Sequence, residues 1–211
     1  MKTRTILIIS GILAILASSC IPSLFPLYTR EDIVYDDRIE GAWDGGFDQL
    51  GIWTVEKLEY HPKRSFFDPD WTEPDEHSDP GNIHYRLTVR QATEKDTVEA
   101  EFLLHLLGLG DQVYMNICPH EFELDHDFLS WHMIEANTFL RVKIFDDRFE
   151  VQAFDPWFLF NLIKEDRIRI DHVSFGGEIL ITAPTRDLQQ FVLKYSDEDG
   201  ALFEPDVFKR I

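Results

Sequence analysis

Cysteine is nearly missing from this chain, which holds two, Cys20 and Cys118, among 211 residues. Two thiols cannot build a disulfide framework, so the fold must rest on a hydrophobic core. Basic residues are scarce as well, 20 Lys and Arg against 39 Asp and Glu, for a formal charge of −19. A surface of that sign repels phosphate, which speaks against nucleic acid as a partner and against polybasic docking on anionic lipid. No apolar run reaches the roughly 20 residues that a spanning helix needs. The segment around Ser174, His172-Val173-Ser174-Phe175-Gly176-Gly177, lacks the Gly-x-Ser-x-Gly elbow of hydrolases. No complete nucleophile, paired-acid or cofactor-binding pattern occurs elsewhere, and no cofactor is expected.

What is present begins at the N-terminus. Lys2 and Arg4 precede an apolar stretch from Ile6 to Leu16, and Ala17, Ser18 and Ser19 lead into Cys20. That order is the charged, apolar and small-residue sequence of a cleavable export signal over residues 1–19. Its removal leaves about 190 residues, a length that suits one domain. Without Lys2 and Arg4 the formal charge becomes about −21.

The run from Leu16 to Cys20 resembles the lipobox of bacterial lipoproteins. The resemblance implies that Cys20 becomes the acylated first residue and that attachment to the membrane is covalent. Two or more acyl chains hold a protein stably, at about 0.8 kcal/mol per buried methylene. Ile21 follows the cysteine where an aspartate would resemble an inner-membrane retention signal, so the expected address is the outer membrane, facing the periplasm.

Residues 20–40 carry little periodicity and read as a lipidated anchor and tether; residues 41–211 read as a single β-rich domain. Within it, Ile83, Tyr85, Leu87 and Val89 alternate with His84, Arg86, Thr88 and Arg90, which predicts a strand with one core face and one wet face. Val98 to Leu106, Val113 to Ile117, and Leu140 to Ile144 turning at Asp146-Asp147 into Phe149 and Val151 repeat the pattern. Ile52 to Tyr60, Trp131 to Ile134, Ile168 to Val173 and Glu178 to Ala183 bring the expectation to eight to ten short strands. Two helices are predicted late in the chain. One starts with Asp155 as cap and Pro156 in the first turn, and the other begins at Thr185 with Leu188, Phe191, Val192 and Tyr195 on one face. The expected architecture is mainly β, an antiparallel barrel or a two-sheet sandwich.

Gly41-Ala42-Trp43 is similar to the start of lipocalins, in which the tryptophan plugs the closed end of the barrel. The mature chain also resembles a group of uncharacterised Gram-negative lipoproteins. The matching residues are Pro26-Leu27-Tyr28, Asp32-Ile33-Val34, Gly41-Ala42-Trp43, and Ala183-Pro184-Thr185 with Leu188-Gln189-Gln190-Phe191. That group supports fold and address and brings no activity. Its members often carry a histidine where Asn137 precedes Thr138-Phe139 here, so no role for that histidine transfers.

Candidate chemistry is sparse. His120, Glu121, His126 and His132 are the densest metal-competent group, yet six residues separate His120 from His126 where zincins have four. Asp68 to Asp79 offers oxygen ligands for calcium without the glycine and terminal glutamate of an EF-hand loop, and it reads as a solvated loop ahead of a calcium site. His105 reads as a solvent-facing or hydrogen-bonded histidine and Cys118 as a small buried residue at a strand end. Trp43, Trp53 and Trp131 are the candidates for lining a ligand pocket, against the commoner role of core filling. These readings favour a non-catalytic, lipid-anchored envelope protein that binds a small apolar or amphiphilic ligand or a protein partner. The alternative is a metal-dependent or other hydrolase using His120 to His132.

Overall fold

Alternation along the strands decides the architecture. In the computed structural model, which describes residues 20–45, 51–59, 83–92, 96–120 and 134–211, eight antiparallel strands close into a barrel. A two-residue strand β1 (Pro22–Ser23) precedes them. The barrel then runs through β2 (Gly41–Gly45), β3 (Ile52–Glu59), β4 (Ile83–Ala92), β5 (Thr97–Leu109), β6 (Gln112–Pro119), β7 (Asn137–Ile144) and β8 (Arg148–Ala153). Next come α1 (Pro156–Lys164), a hairpin of β9 (His172–Phe175) and β10 (Glu178–Ile181), and α2 (Thr185–Tyr195). The last strand, β11 (Asp206–Arg210), lies between β8 and β2 and closes the ring. Closure decides for a barrel over a sandwich and removes the free edges of an open sheet.

Side chains of one parity fill the interior. Tyr85, Leu87, Leu104, Met115, Leu140 and Phe149 are all at most 2% exposed, and Val89 and Phe102 pack against the same cluster. Side chains of the other parity split the outer wall in two. On β3 and on β4 beyond His84 they reach water, and Arg90 pairs with Glu99 of β5 across the strands. On β5, β6 and β7, Leu107, Leu109, Tyr114 and Phe139 are buried in a second core beneath the two helices. Asp155 caps α1 by accepting from the Trp157 amide (2.8 Å), and Leu159 and Leu162 face that core. From α2, Leu188, Phe191, Val192 and Tyr195 enter it as the helical spacing predicts.

Several expectations need correction. Residues 21–39 do not hang as a tether: Leu27 and Ile39 are fully buried, and the segment runs as an arm over the barrel. The arm replaces strands where they stop. β4 pairs with β5 as far as Leu104, and beyond it Ile33 bridges Leu107 and the Val34 amide donates to the Leu106 carbonyl (2.9 Å). His84, expected on the wet face, is 8% exposed. β5 runs on past the expected end at Leu106, to Leu109, before turning at Gly110-Asp111. The strand expected from Ile168 starts only at His172, because the Arg167 amide closes the end of α1 by donating to Leu162 and Ile170 turns into the outer core. Of the strand expected from Trp131 to Ile134, residues 131–133 lie outside the described residues and Ile134 is an exposed coil residue.

Candidate functional site

Eight strands leave an interior just wide enough to be filled by side chains or to hold one small ligand. Here aromatic rings fill it. Phe149 stacks on Phe208 with centroids 4.5 Å apart, Trp53 tilts against Phe208 at 4.5 Å, and Trp43 meets Phe149 edge-on at 4.9 Å. Trp43 donates its indole N–H to the Ile39 carbonyl (2.8 Å), and the Arg210 guanidinium lies 4.3 Å from its ring centroid. The Trp53 indole nitrogen is buried and has no acceptor among the described residues. At the end of the barrel where β2 begins, the arm crosses the opening. The Asp36 amide donates to the Tyr85 hydroxyl (2.9 Å), and Ile39 enters the inner core. Trp43 and Trp53 thus form the centre of the core; Trp131 lies outside the described residues. Beside that end, a shallow groove of about 620 Å³ is lined by Glu40, Gly41, Ala42, Thr54, Val55, Glu56 and Lys57.

The outer wall carries buried side-chain amides and imidazoles that hold the arm. The Leu27 amide donates to Asn116 Oδ1 (3.0 Å), Asn116 Nδ2 donates to Asn137 Oδ1 (2.9 Å), and Asn137 Nδ2 reaches the Leu24 carbonyl (3.4 Å). Asn137 is therefore part of a structural relay. From the other side, α2 supplies Thr185 Oγ1 to the Pro26 carbonyl (2.8 Å) and Gln189 Nε2 to the Leu27 carbonyl (2.9 Å) and to Asp32 (2.7 Å). Burial works to raise the Asp32 carboxyl, but hydrogen bonds from the Thr29 amide and hydroxyl and from Gln189 outweigh it and hold it below the usual range.

Beneath the arm, His105 Nε2 faces His84 Nδ1 within hydrogen-bond reach and meets the Tyr28 hydroxyl at 3.2 Å. Burial depresses the His84 imidazole to about 4 and holds His105 well below its ordinary value, with His84 adding to the effect. Two neutral imidazoles at 8% and 1% exposure form a packed polar contact and make weak, inaccessible bases. Among the described residues His105 Nδ1 has no partner. Cys118 is half-buried near the end of β6, and burial pushes its thiol up to about 11, far from a reactive thiolate.

Of the metal candidates, His120 follows β6 and its amide donates to the Glu101 carbonyl (3.1 Å); Glu121, His126 and His132 lie outside the described residues, as does the acidic stretch Asp68 to Asp79. Among the described residues no three His, Cys, Asp or Glu side chains come together as a metal site.

The remaining feature is the end of the molecule that carries Cys20. Pro22 and Ser23 pair antiparallel with Thr138 and Asn137 of β7, and Ser23 pairs parallel with Ile181 of β10. The Leu24 amide adds a hydrogen bond to the Ile181 carbonyl (2.7 Å). Ile21 is 4% exposed, so Cys20 joins the folded body directly. Next to it, the β9–β10 hairpin presents Val173 and Phe175, 55% and 86% exposed, at a Gly176-Gly177 turn. β1 was hidden because it is only two residues long; the hairpin was legible in part, from the strands expected at Ile168 to Val173 and Glu178 to Ala183, although the observed β9 runs on to Phe175 before the two glycines. Comparison of the chain with known protein families, with curated proteins and with solved structures finds no match.

Proposed function

We propose that the protein is a lipid-anchored component of the cell envelope, held through acylated Cys20 at the outer membrane and facing the periplasm. It acts by docking on an envelope protein, with its barrel as a solid support. The observation that carries this reading is the filled interior, in which Trp43, Trp53, Phe149 and Phe208 occupy the volume that an apolar ligand would take. A protein of this kind needs no catalytic constellation. The buried histidines serve the fold, and the surface is strongly acidic, which favours partners of opposite or neutral charge.

The test pairs two measurements on the protein purified from membranes. Mass spectrometry of the N-terminal peptide is expected to find lipid on Cys20, and Cys20→Ala to leave the chain uncut or soluble. A thermal-shift screen with fatty acids, lysolipids, glycans and divalent ions is expected to show no saturable stabilisation. Saturable stabilisation by an amphiphile would replace the docking reading with ligand carriage. Stoichiometric zinc lost in His120→Ala would replace it with the metalloenzyme.

A further inference from the structure

We infer that the β9–β10 hairpin is a membrane-contacting element whose tip enters the headgroup region of the bilayer that holds the anchor. The inference rests on the reading of Cys20 as the acylated residue and adds where the body meets the lipid. Its first support is the lack of slack. Ser23 is fully buried and paired on both sides, and Ile21 is buried too. A chain advances at most ~3.6 Å per residue, so the Cys20 backbone lies within about 11 Å of Ser23. The acyl chains leave from there, and the bilayer surface must come up against the folded body.

Direction is the second support. β1 runs parallel to β10 with Ser23 opposite Ile181, so the step back from Ser23 toward Cys20 runs the same way as the step back from Ile181 toward Glu178. Glu178 pairs with Phe175 at the end of the hairpin, about 10 Å from Ile181 at ~3.3 Å per residue. The backbone thus steps back from Ser23 toward Cys20 in the direction in which β10 runs back to the hairpin tip, with Cys20 packed at the edge of the inner core.

Chemistry is the third. Val173 and Phe175 stand on one face of β9, and among the described residues β9 ends the sheet. An apolar edge strand with a phenylalanine 86% exposed invites aggregation unless something covers it. Gly176 and Gly177 turn with φ of 62° and 94°, as the tight two-residue hairpin turn requires, and open space surrounds both. With a chain this acidic, contact with an anionic bilayer must come from apolar insertion beside a covalent anchor. Glu178, directly across from Phe175, keeps that insertion shallow because its carboxylate stays among the headgroups.

The test places a nitroxide at Phe175→Cys, and separately at Val173→Cys, in the full chain with Cys118→Ser, processed in cells so that Cys20 carries its lipid. Glu56→Cys, exposed on β3 four strands round the barrel from β7, is the reference. The proteins are reconstituted into phosphatidylethanolamine–phosphatidylglycerol vesicles, and accessibility to oxygen is compared with accessibility to a nickel chelate. The expected result is a several-fold higher oxygen-to-nickel ratio at both hairpin positions than at residue 56. A lipidated, vesicle-bound protein whose hairpin labels are as aqueous as residue 56 would overturn the hairpin contact while leaving the anchor intact. Labels shielded from both reagents would overturn it in favour of a protein covering the hairpin. An N-terminal peptide without lipid would overturn the anchor reading, and this inference with it.

Discussion

One barrel wall separates two hydrophobic cores, and they are built differently. The inner core is made of side chains two residues apart on successive strands, and its members stack ring on ring: Phe149 lies 4.5 Å from Phe208 and 4.9 Å from Trp43. The outer core joins strands to two helices and to the arm of residues 21–34, and it takes in polar groups such as Asn116 and Asn137, which bond to each other and to the arm. Period-2 burial thus makes the container, and the covered wall decides where chain ends and helices are held. The sharpest way to break this contrast is Phe149→Ala, which opens a void at the centre of the inner stack. Truncations of this type cost about 3–5 kcal/mol, and aromatic pairs add about 0.5–1.5 kcal/mol beyond their area. The expected outcome is one cooperative loss of both cores in urea, read together by near- and far-ultraviolet circular dichroism.

Acid should act on the outer core first. His84 ionises near 4 in the fold, held down by burial, and burial with His84 beside it holds His105 well below its ordinary value, which is 6.5 for each. The unfolded chain therefore binds more protons across this range, and stability rises with pH there. The contribution is complete above about pH 6.5 and is lost as the pH falls from there toward 4. For His84 alone the shift corresponds to about 3 kcal/mol, an order-of-magnitude figure. Urea midpoints should be flat above pH 7 and fall between pH 6 and 4.5, with the arm's amides losing exchange protection before those of β3 and β4. A midpoint level down to pH 4.5 would mean that the two imidazoles are not buried together.

Asn116→Ala should have a smaller and more local effect. It strips the acceptor from the buried Leu27 amide and the donor from Asn137 Oδ1. A buried polar group left without a partner costs about 1–3 kcal/mol. The expected loss is about 2 kcal/mol, with faster amide exchange at Leu24 to Thr29 and an unchanged barrel. If exchange accelerates equally in β7 and β8, the arm and the barrel wall are one cooperative unit and the contrast between the two cores fails.

How far the sequence carried the structure follows the same division. The inner core was legible wherever one face alternated cleanly, as in Tyr85, Leu87 and Val89, and α1 was legible from Asp155 and Pro156 because capping chemistry is local. β11 was not, since its burial toward the inner core rests on Phe208 and its partners, β2 and β8, lie far away in the chain. The arm was missed because its pairing is supplied by residues 70 or more positions distant: Leu27 by Asn116, Ile33 by Leu107, Ser23 by Ile181. A trace of it was present in Leu103 to Leu109, where five of seven residues are leucine and only His105 and Gly108 interrupt the run. A strand apolar on both parities is covered on both faces, so that run marked the wall on which the arm and helices had to lie. Trp43 and Trp53 could be named as aromatic candidates, but whether rings fill a barrel or line its mouth depends on their mutual distances, which no local pattern encodes.

The smallest effect is expected on the wet wall, where neither core reaches. Arg90 and Glu99 face each other in register on β4 and β5 with a nitrogen–oxygen distance of 2.5 Å. Geometry alone would rank it high. Both side chains are about half exposed, at 57% and 45%, so water and salt screen the attraction, and each must give up rotamer freedom to hold the contact. Arg90→Ala, Glu99→Ala and the double variant should therefore have urea midpoints that agree within the scatter of replicate melts, at low and at high salt. A double-mutant cycle with a coupling that survives high salt would show that this wall is shielded from solvent by some part of the protein or by a partner, and the division into one covered and one wet wall would have to be redrawn.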